Sequence, residues 1–358
     1  MYEITCYIPN NSNNPYSENI KWIIVQNGYK LVSIKELIRN PKMFLKCKLF
    51  NFNWLERMDS SRSPSMQYLE KKLLIDFLKL TRKKIIYTLH NKEPHEKIST
   101  GKQQCKVMEL LVRKSDAIIG MCNETLETVS GIDSGCVDKT IIIPHPNYIK
   151  NYQFIGSSRD KRKQYGISKT DIVFLFLGFV SPYKNVETLI ECVGSVENSN
   201  IKLIIAGLPS DKEYQSMLLT LTNKYSNVFY DFRYIPDDEI PDYYSAADII
   251  VLPYRKSSVL NSGAVFLSFS LAKTVICPLI GSIKDFEDKS FLYYYDYISE
   301  EDHSKKLKET IDRVIEDIKH DDEIVKQKGK QAKEYVQNNH SLELVREKYA
   351  ELYKKLIG

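Results

Sequence analysis

Several features that define exported or membrane-spanning proteins are missing from this sequence of 358 residues. No run of eighteen apolar residues occurs, which excludes a conventional membrane-spanning helix. The first residues, MYEITCYIPNN, contain neither the basic start nor the apolar core of a secretory signal. We therefore expect a cytoplasmic protein.

No Cys-x-x-Cys pair is present, and the seven cysteines are spread from Cys6 to Cys277. An odd, dispersed set in a chain without an export signal is typical of reduced thiols. This pattern argues against disulfides and against a structural zinc site. The net charge of +5 is also too small to indicate a nucleic-acid partner by itself.

Short apolar runs alternate with helical patterns through the whole sequence. The first half contains EITCYIP, YKLVSI, KKIIYTLH, AIIGMC and KTIIIPHP, and the second half contains DIVFLFLGF, IKLIIAG, NVFYDFRYIP, DIIVLPY and TVICPLIG. This alternation predicts parallel sheets with helices on both faces. The length and the polar connection at 147–170 predict two doubly wound units, with a ligand cleft between them as the default site.

The segment Ile172–Glu191 is the most informative part of the sequence. Its run VFLFL predicts a buried strand that ends at Gly178, and a helical pattern begins after a loop that contains Lys184. A glycine turn, a helix start and a lysine together suit an anion, because exposed N–H groups and the helix dipole favour phosphate. The alternative is a solvated loop lysine, which many α/β proteins carry.

Three further groups follow strand ends in the same half of the sequence. Arg233 and Arg255 lie near the ends of two predicted strands, and Ser262 with Gly263 leads into a predicted helix. Two loop-to-helix junctions with three cations suit a diphosphate better than a single phosphate. Each arginine has the alternative of a surface ion pair, which is its commoner role.

The order GFVSPYKN, LIIAG, RYIPDDEIPDYYSAADIIVLPY and SG before an apolar helix resembles the C-terminal domain of family 4 glycosyltransferases of the GT-B fold. It looks most like a bacterial subgroup with PYKG, LPY and SG motifs. TLHNKEPHE and IIIPHPNY in the first half are similar to segments of the same subgroup. The resemblance covers residues 84 to 285, and the residues before 84 are similar in topology only.

The resemblance implies two Rossmann-like, doubly wound domains that face a central cleft. An acceptor-binding domain is expected at residues 1–155 and a nucleotide-sugar-binding domain at residues 165–335. An amphipathic helix at residues 341–358, with Ser341 as its N-cap, is expected to cross back to the first domain.

The resemblance further implies a retaining transferase that moves a sugar from a nucleotide diphosphate donor to a glycan acceptor, in capsular or exopolysaccharide biosynthesis. Lys184 would pair with the donor diphosphate, and His90, at a predicted strand end, would face the donor sugar. The expected catalytic residues are His90, Lys184 and Arg255. The expected donor-binding residues are Gly178, Lys184, Arg233, Tyr234, Ile235, Ser262, Gly263 and Asp285.

Cations and N–H dipoles suit this chemistry because cleavage of the anomeric bond places negative charge on the departing diphosphate. In the same-face mechanism that the family favours, the leaving phosphate can accept the acceptor's proton. No carboxylate base is then needed, and we expect no metal or other cofactor. His90 and His95 with Glu96 lack the i, i+4 spacing of a helical zinc pair, and Pro94 interrupts any helix there.

Three positions depart from the family pattern. The segment SSVLNSGAVFLSFSLAK contains no acid where many members carry Glu-x7-Glu, Phe179 replaces an arginine, and Asn185 replaces a glycine. These departures favour an alternative function, a non-catalytic GT-B subunit that binds glycan beside an active transferase. A second alternative is a nucleotide-sugar epimerase, although its usual cleft acids are scarce in this sequence.

The stretch from Thr81 to Lys114 carries nine Lys or Arg residues against three Glu. Such an excess can steer anionic substrates or hold a protein on an anionic membrane leaflet, and a solvated basic face is the alternative. Because the implied acceptor is lipid-linked, the inner membrane face is a candidate site of peripheral attachment. We expect no nucleic-acid partner.

Overall fold

The computed structural model describes residues 3–9, 14–59, 61–93, 98–152, 160–198 and 200–358. The chain forms two compact units, each built on a six-stranded parallel sheet with flanking helices. The doubly wound α/β architecture predicted from the alternating pattern is confirmed for both units. The units comprise Met1–Pro146, Ser257–Asn261 and Asn339–Gly358 (unit 1), and Asn147–Lys256 and Ser262–Asn338 (unit 2).

Unit 1 has the sheet order β2-β1-β3-β4-β5-β6. Its strands are β1 (Glu3–Ile8), β2 (Tyr29–Val32), β3 (Cys47–Asn53), β4 (Lys84–Thr88), β5 (Ala117–Gly120) and β6 (Thr140–Ile142). Its helices up to residue 146 are α1 (Pro15–Gln26), α2 (Ile34–Arg39), α3 (Pro41–Lys46), α4 (Pro64–Leu80), α5 (Ile98–Lys114) and α6 (Glu124–Ile132), followed by a 3₁₀ turn at Ser134–Lys139. The core of the unit lies around side chains such as Phe50, Tyr87 and Ile118.

Strand β3 lies inside this sheet but is absent from the predicted strands, because polar residues interrupt its apolar pattern. Asn51 and Asn53 are both almost fully buried. The Asn51 amide donates to Thr5 Oγ1 at 2.8 Å and to Cys6 O at 3.2 Å, and it accepts from the Tyr353 hydroxyl at 2.7 Å. Buried polar groups are tolerated where they are hydrogen-bonded in this way, but their partners are distant in sequence.

Unit 2 has the sheet order β12-β11-β10-β7-β8-β9. Its strands are β7 (Ile172–Leu177), β8 (Ile201–Ala206), β9 (Val228–Asp231), β10 (Ile249–Val251), β11 (Val275–Pro278) and β12 (Tyr293–Tyr295). Its helices are α7 (Lys161–Gln164), α8 (Val186–Gly194), α9 (Lys212–Thr222), α10 (Ile240–Ala246), α11 (Gly263–Ser270), α12 (Gly281–Lys284), α13 (Glu300–His320) and α14 (Ile324–Asn339).

The strand order of unit 2 reverses between β7 and β10, which pair directly through Phe174 with Ile249 and Leu175 with Ile250. In open parallel sheets, ligands bind outside the carboxyl ends of the strands at such a reversal. The loops that follow β7 and β10 therefore emerge side by side at the favoured position for a ligand.

Two elements of unit 2 are shorter than predicted from the sequence. Strand β9 ends at Asp231, because the N–H of Arg233 turns back to Asp231 O at 3.0 Å. The sequence pattern also predicts a helix from Pro236 to Ala247, but helix α10 begins only at Ile240. The segment between them, which includes Arg233, Tyr234 and Ile235, is therefore a loop.

The last helix, α15 (Leu342–Ile357), belongs to unit 1. Its predicted N-cap is confirmed, since the Ser341 hydroxyl accepts from the N–H of Leu344 at 3.3 Å. Asn27 Nδ2 donates to Arg346 O at 2.9 Å, which joins α15 to the end of α1. Among the described helices, none is both long and apolar enough to cross a bilayer.

The bounds of the units differ from the predicted domain ranges in two places. Unit 2 begins at Asn147, ahead of the predicted boundary, and the Asn147 amide there donates to Val336 O of the same unit at 3.0 Å. Residues 257–261 belong to unit 1, where Leu260 is buried in the core and Val259 forms an antiparallel bridge with Asn91. A segment that the sequence assigns to the second domain thus completes the first unit.

Candidate functional site

Two glycine turns follow β7 and β8 in unit 2 and pack against each other. Gly178 has a φ of +141° and Gly207 a φ of +148°, a region that favours glycine. A Cβ on Gly207 would lie 1.8 Å from Gly178 O, so this position has no room for a side chain. A Cβ on Gly178 would lie 3.4 Å from the Nζ atom of Lys184. The two glycines therefore bring bare backbone close to the lysine.

Lys184 ends a 3₁₀ turn at Pro182–Lys184, between β7 and α8. Its half-buried Nζ atom lies 5.5 Å from the ring centroid of Tyr254 and 5.8 Å from those of Tyr183 and Phe176. Among the described residues, it has neither an ion-pair partner nor a hydrogen-bond acceptor. Burial without a counterion lowers the pKa of Lys184 to about 8. A cation placed in this way favours an anionic ligand.

The residue after this turn, Asn185, adopts the left-handed conformation, with φ 54° and ψ 42°. Its Oδ1 accepts from Thr188 Oγ1 at 2.7 Å, and its Nδ2 donates to His303 Nδ1 at 3.2 Å. His303 is fully buried, lies 2.8 Å from the Tyr295 hydroxyl through Nε2, and stacks on Tyr297 at 4.0 Å. Burial lowers the pKa of His303 to about 4, so its ring is neutral and Nδ1 can accept.

The second predicted junction, Ser262–Gly263, forms the start of α11. The buried Ser262 hydroxyl accepts from the N–H of Val265 at 3.4 Å and donates to the Tyr254 hydroxyl at 2.9 Å. The N–H groups of Gly263 and Ala264 lie in the first helical turn, where a helix has no acceptor of its own for them. These N–H groups are suited to an anion.

Arg255 connects the two loops of unit 2 through its backbone. Its N–H donates to Tyr183 O at 2.9 Å, so the loop after β10 is bonded to the lysine loop after β7. Its guanidinium lies 3.7 Å from Glu187 and 3.5 Å from Glu300. The catalytic role expected for Arg255 stays a prediction.

Arg233 is held by two carboxylates of its own unit. Its guanidinium contacts both carboxylate oxygens of Glu239, at 3.2 and 2.6 Å, and lies 3.0 Å from Asp231. These partners, Glu239 foremost, raise the pKa of Arg233 above its ordinary value. Its charge is therefore already balanced within the protein. The donor-binding roles expected for Arg233, the exposed Tyr234, the buried Ile235 and Asp285, which follows α12, stay predictions.

His90 lies at the carboxyl end of β4 in unit 1. Its Nε2 lies 3.0 Å from the amide oxygen of Asn53, and because that oxygen accepts, Nε2 carries the proton. The ring stacks on Trp54 with centroids 4.0 Å apart, and Tyr16 meets its edge at 5.2 Å. Burial, followed by the charge of Arg57, lowers the pKa of His90 well below its ordinary value. His90 is therefore a neutral imidazole in a fixed orientation.

Two further histidines of unit 1 have structural positions. His145 Nδ1 donates to Pro146 O at 2.8 Å, and His340 Nδ1 donates to His145 O at 2.9 Å. Burial lowers the pKa of His145 to about 3 and that of His340 to about 4. Within the part of the chain that the structure describes, no cluster of three or more His, Cys, Asp or Glu could hold a metal ion. The candidate metal pair His95 and Glu96 lies outside the described residues.

Sequence reasoning missed the groups that hold the expected site residues in place. Asn53 and Trp54 fix His90, but they follow β3, which the apolar pattern does not reveal. His303 holds Asn185 although 118 positions separate the two residues. The one indication in the sequence was Asn185 itself, at a position where the similar family carries glycine.

Part of the chain is similar to proteins of known class. Residues 157–331, which lie mainly in unit 2, match the family model described as Glycosyl transferases group 1. A GDP-mannose:glycolipid 4-beta-D-mannosyltransferase of Xanthomonas campestris is 29% identical over 104 residues. That match covers 29% of this chain and 29% of the relative, so the chain spans well under half the length of the curated relative it matches.

Two solved structures share the fold over nearly the whole chain. Anabaena HepE in complex with UDP and glucose has a TM-score of 0.72 at 13% identity, covering 99% of this chain and 100% of that one. Sucrose-phosphate synthase of Thermosynechococcus elongatus has a TM-score of 0.73 at 14% identity, covering 99% of each chain.

The chain therefore has the GT-B fold, which the resemblance to glycosyltransferases implied. Within that fold, residues 157–331 are similar to group 1 glycosyl transferases. The closer subgroup suggested by the PYKG, LPY and SG motifs stays a prediction.

Proposed function

We propose that this chain is a retaining glycosyltransferase that moves a sugar from a nucleotide diphosphate donor to a glycan acceptor in capsular or exopolysaccharide biosynthesis. The observation that carries the proposal is Lys184, a half-buried cation without a counterion among the described residues, at the strand reversal of unit 2. The N–H groups at the start of α11 belong to the loop that is bonded to the lysine loop. A diphosphate supplies negative charge for both groups.

The chemistry follows from where charge develops. As the anomeric C–O bond breaks, negative charge grows on the departing diphosphate and positive charge grows on the sugar ring. Lys184 and the N–H groups of Gly263 and Ala264 stabilise the first of these charges without having to reorganise. In a same-face reaction the leaving phosphate takes the proton of the acceptor hydroxyl, so no protein carboxylate has to act as base.

His90 of unit 1 is the proposed contact for the donor sugar. A neutral imidazole whose Nε2–H is bound to Asn53 leaves Nδ1 as an acceptor, which suits a sugar hydroxyl better than it suits a phosphate. Arg255 is proposed to support the lysine loop through its bond to Tyr183 O. We propose that the reaction needs no metal ion, so that EDTA leaves turnover unchanged.

The relatives narrow the candidates for the substrates. HepE was solved with UDP and glucose, and the Xanthomonas relative is named for GDP-mannose and a glycolipid. UDP-hexoses and GDP-mannose are therefore the first donors to test, and a lipid-linked glycan is the first acceptor. A lipid-linked acceptor would bring the protein to the inner face of the membrane.

Thermal-shift measurements against UDP-, GDP-, ADP- and TDP-sugars test the donor site, because a bound ligand raises stability by mass action. We expect one nucleotide series to raise the Tm, and the same donor to be consumed when glycolipid acceptors are added. The one-bond coupling between the anomeric carbon and its proton in the NMR spectrum of the product then reports whether configuration is retained. A panel in which no nucleotide diphosphate binds contradicts the proposal.

One observation favours a second candidate, a non-catalytic glycan-binding subunit. The segment at residues 257–273 holds no acid where related transferases carry two. Release of free nucleotide diphosphate by the purified chain separates the two candidates, because a binding subunit would bind glycan without consuming donor.

A further inference from the structure

Helix α4 of unit 1 carries an apolar stripe that faces solvent along its whole length. The stripe consists of Met66, Leu69, Leu73, Phe77 and Leu80, each between 50% and 82% exposed. At 3.6 residues per turn these five positions fall within about 80° of one another around the helix, over about 21 Å of its length. The opposite face is buried through Gln67, Ile75 and Leu78. The core of unit 1 therefore leaves this second apolar face uncovered.

The exposed stripe continues onto helix α3. Phe44 stacks on Phe77 with ring centroids 5.5 Å apart, and Lys83 Nζ donates to the carbonyls of Phe44 and Leu45 at 2.8 and 3.1 Å. Leu45 itself is 74% exposed. Soluble proteins rarely present a contiguous apolar surface of this kind unless it binds something. We call Met66, Leu69, Leu73, Phe77, Leu80 and Leu45 together the α3–α4 patch.

Basic side chains gather at the α3 end of this patch. Lys35 and Arg39 lie on α2, Lys42 and Lys46 lie on α3, which packs against α2, and Arg82 follows α4. All five side chains are exposed, and none forms an ion pair with another described residue. The acids of α4 are already paired, Glu70 with Arg62 at 2.6 Å and Asp76 with Lys72 at 2.7 Å. The surface therefore combines exposed long apolar side chains with uncompensated positive charge.

The basic stretch at residues 81–114 contributes less to this surface than its composition indicates. Lys84 pairs with Asp116 at 3.3 Å, and Lys92 pairs with Glu124 at 2.8 Å. Lys83 is buried against backbone carbonyls. Arg82 belongs both to this stretch and to the five exposed cations beside the α3–α4 patch.

We propose that the α3–α4 patch is a membrane-docking surface for anionic lipid. Helix α4 would lie in the plane of the interface, with its apolar stripe among the acyl chains and the cations of α2 and α3 at the headgroups. Charge decides between a bilayer and a protein partner, since the five exposed cations outnumber Glu36, the exposed acid of α2. The resulting net positive charge beside an apolar stripe matches the negative surface potential of a cytoplasmic leaflet. The inference concerns unit 1 and goes beyond the proposed transfer reaction.

Vesicle flotation with the full chain tests the proposal. We expect the chain to bind vesicles of equimolar phosphatidylcholine and phosphatidylglycerol, and to bind phosphatidylcholine alone much more weakly. The double variant Leu73→Glu, Phe77→Glu should lower binding to the anionic vesicles at least tenfold, because two charges then enter the apolar layer. Lys42→Gln and Lys46→Gln should each lower it about fivefold, and added salt should weaken wild-type binding.

Matched variants in unit 2 are the controls. Met217→Glu places a charge on an exposed apolar position of α9, and Lys224→Gln removes an exposed cation, so both should bind vesicles as the wild type does. All these substitutions in unit 1 lie outside the donor site and should leave the donor-induced thermal shift unchanged. Lys42→Gln and Lys46→Gln should also leave the Tm unchanged, whereas the Leu73→Glu, Phe77→Glu variant loses the stacking of Phe77 on Phe44 and should melt slightly earlier. If a variant still binds donor, its weaker binding to vesicles is caused by the change in the docking surface and not by damage to the donor site.

Two results would overturn the proposal. One is a wild-type chain that binds neither kind of vesicle, which is the result expected if the α3–α4 patch binds a protein partner instead. The other is a Leu73→Glu, Phe77→Glu variant that floats with anionic vesicles as the wild type does, which would place any membrane contact elsewhere.

Discussion

The Asn185 amide and the His303 ring are hydrogen-bonded at 3.2 Å, at the point where the lysine loop enters helix α8. Asn185 stands in the left-handed region, which asparagine adopts more readily than most residues and glycine adopts without cost. His303 and Thr188 together hold its side chain. The bond therefore stabilises the left-handed turn that follows Lys184.

His303→Phe keeps a ring to stack on Tyr297 but removes both hydrogen bonds of the imidazole. We expect donor affinity to fall about fivefold to tenfold, since loss of a hydrogen bond is worth about 1 kcal/mol, and the Tm to fall as well. Adding Asn185→Gly should restore donor affinity, because glycine needs no partner in this conformation. The Tm should stay low, because the Tyr295 hydroxyl remains without its partner at His303. Isothermal titration and thermal melts of the wild type, the two single variants His303→Phe and Asn185→Gly, and the double variant separate these effects. A double variant that binds donor as weakly as His303→Phe would contradict the account.

Lys184→Met removes the cation but keeps most of the length of the side chain. We expect turnover to fall about a hundredfold or more, the effect of losing one charge-stabilising group. We also expect the Tm of the protein without donor to rise by a few degrees, because a half-buried charge without a counterion is unfavourable. Lys224→Met, at an exposed cation, is the control for both measurements. An unchanged turnover would remove Lys184 from the proposed site.

The lowered pKa of Lys184 predicts two opposite pH dependences. Donor affinity should fall above about pH 8, approaching tenfold per pH unit, because the uncharged amine does not attract a diphosphate. Stability without donor should change in the other direction. The unfolded chain, with the ordinary pKa of 10.5, binds more protons than the folded chain between that value and about 8, so the contribution of Lys184 to the free energy of unfolding rises with pH.

Titration calorimetry and urea melts between pH 7 and 10, with Lys184→Met alongside, check both trends. The difference between the wild type and the variant isolates this residue from the other titrating groups. A donor affinity that is flat across this range in the wild type would show that the charge of Lys184 does not bind the donor.

The close approach of the backbone at Gly207 and Gly178 gives a prediction about stability. Gly207→Ala should destabilise the protein by several kcal/mol or prevent folding, because its Cβ would lie 1.8 Å from Gly178 O and its φ is +148°. Gly131→Ala, inside α6, has open space around the added Cβ and should stabilise the protein by about 0.5–1 kcal/mol. Urea denaturation of both variants measures the contrast. Equal stability of the two would contradict the close backbone approach.

The parts of the fold that follow from local pattern could be predicted from the sequence. The apolar run of β7, the glycine that ends it and the cap at Ser341 each depend on neighbouring residues, and all three form as expected. Strand β3 could not be predicted, because the partners that make a buried Asn51 acceptable lie at Thr5, Cys6 and Tyr353.

The candidate site shows the same division between local and distant information. The position of Lys184 follows from the strand–loop–helix pattern. That none of the described residues places a carboxylate beside it depends on the packing of separate loops. The spacing of apolar residues predicts α4 as a helix. Because two faces of this helix are apolar, the spacing does not show which face is buried. Only the packing shows that Ile75 and Leu78 are buried while Leu73 faces solvent.

The division of the chain into units has a consequence for any attempt to separate them. The backbone passes from one unit to the other at residues 146–147, 256–257, 261–262 and 338–339. A fragment that stops at Pro146 would lack Leu260 in its core and the Tyr353 hydroxyl that Asn51 accepts from. A protease that cuts at only one of these four crossings leaves parts of the two units joined through the other three, so a single cut does not release either unit complete.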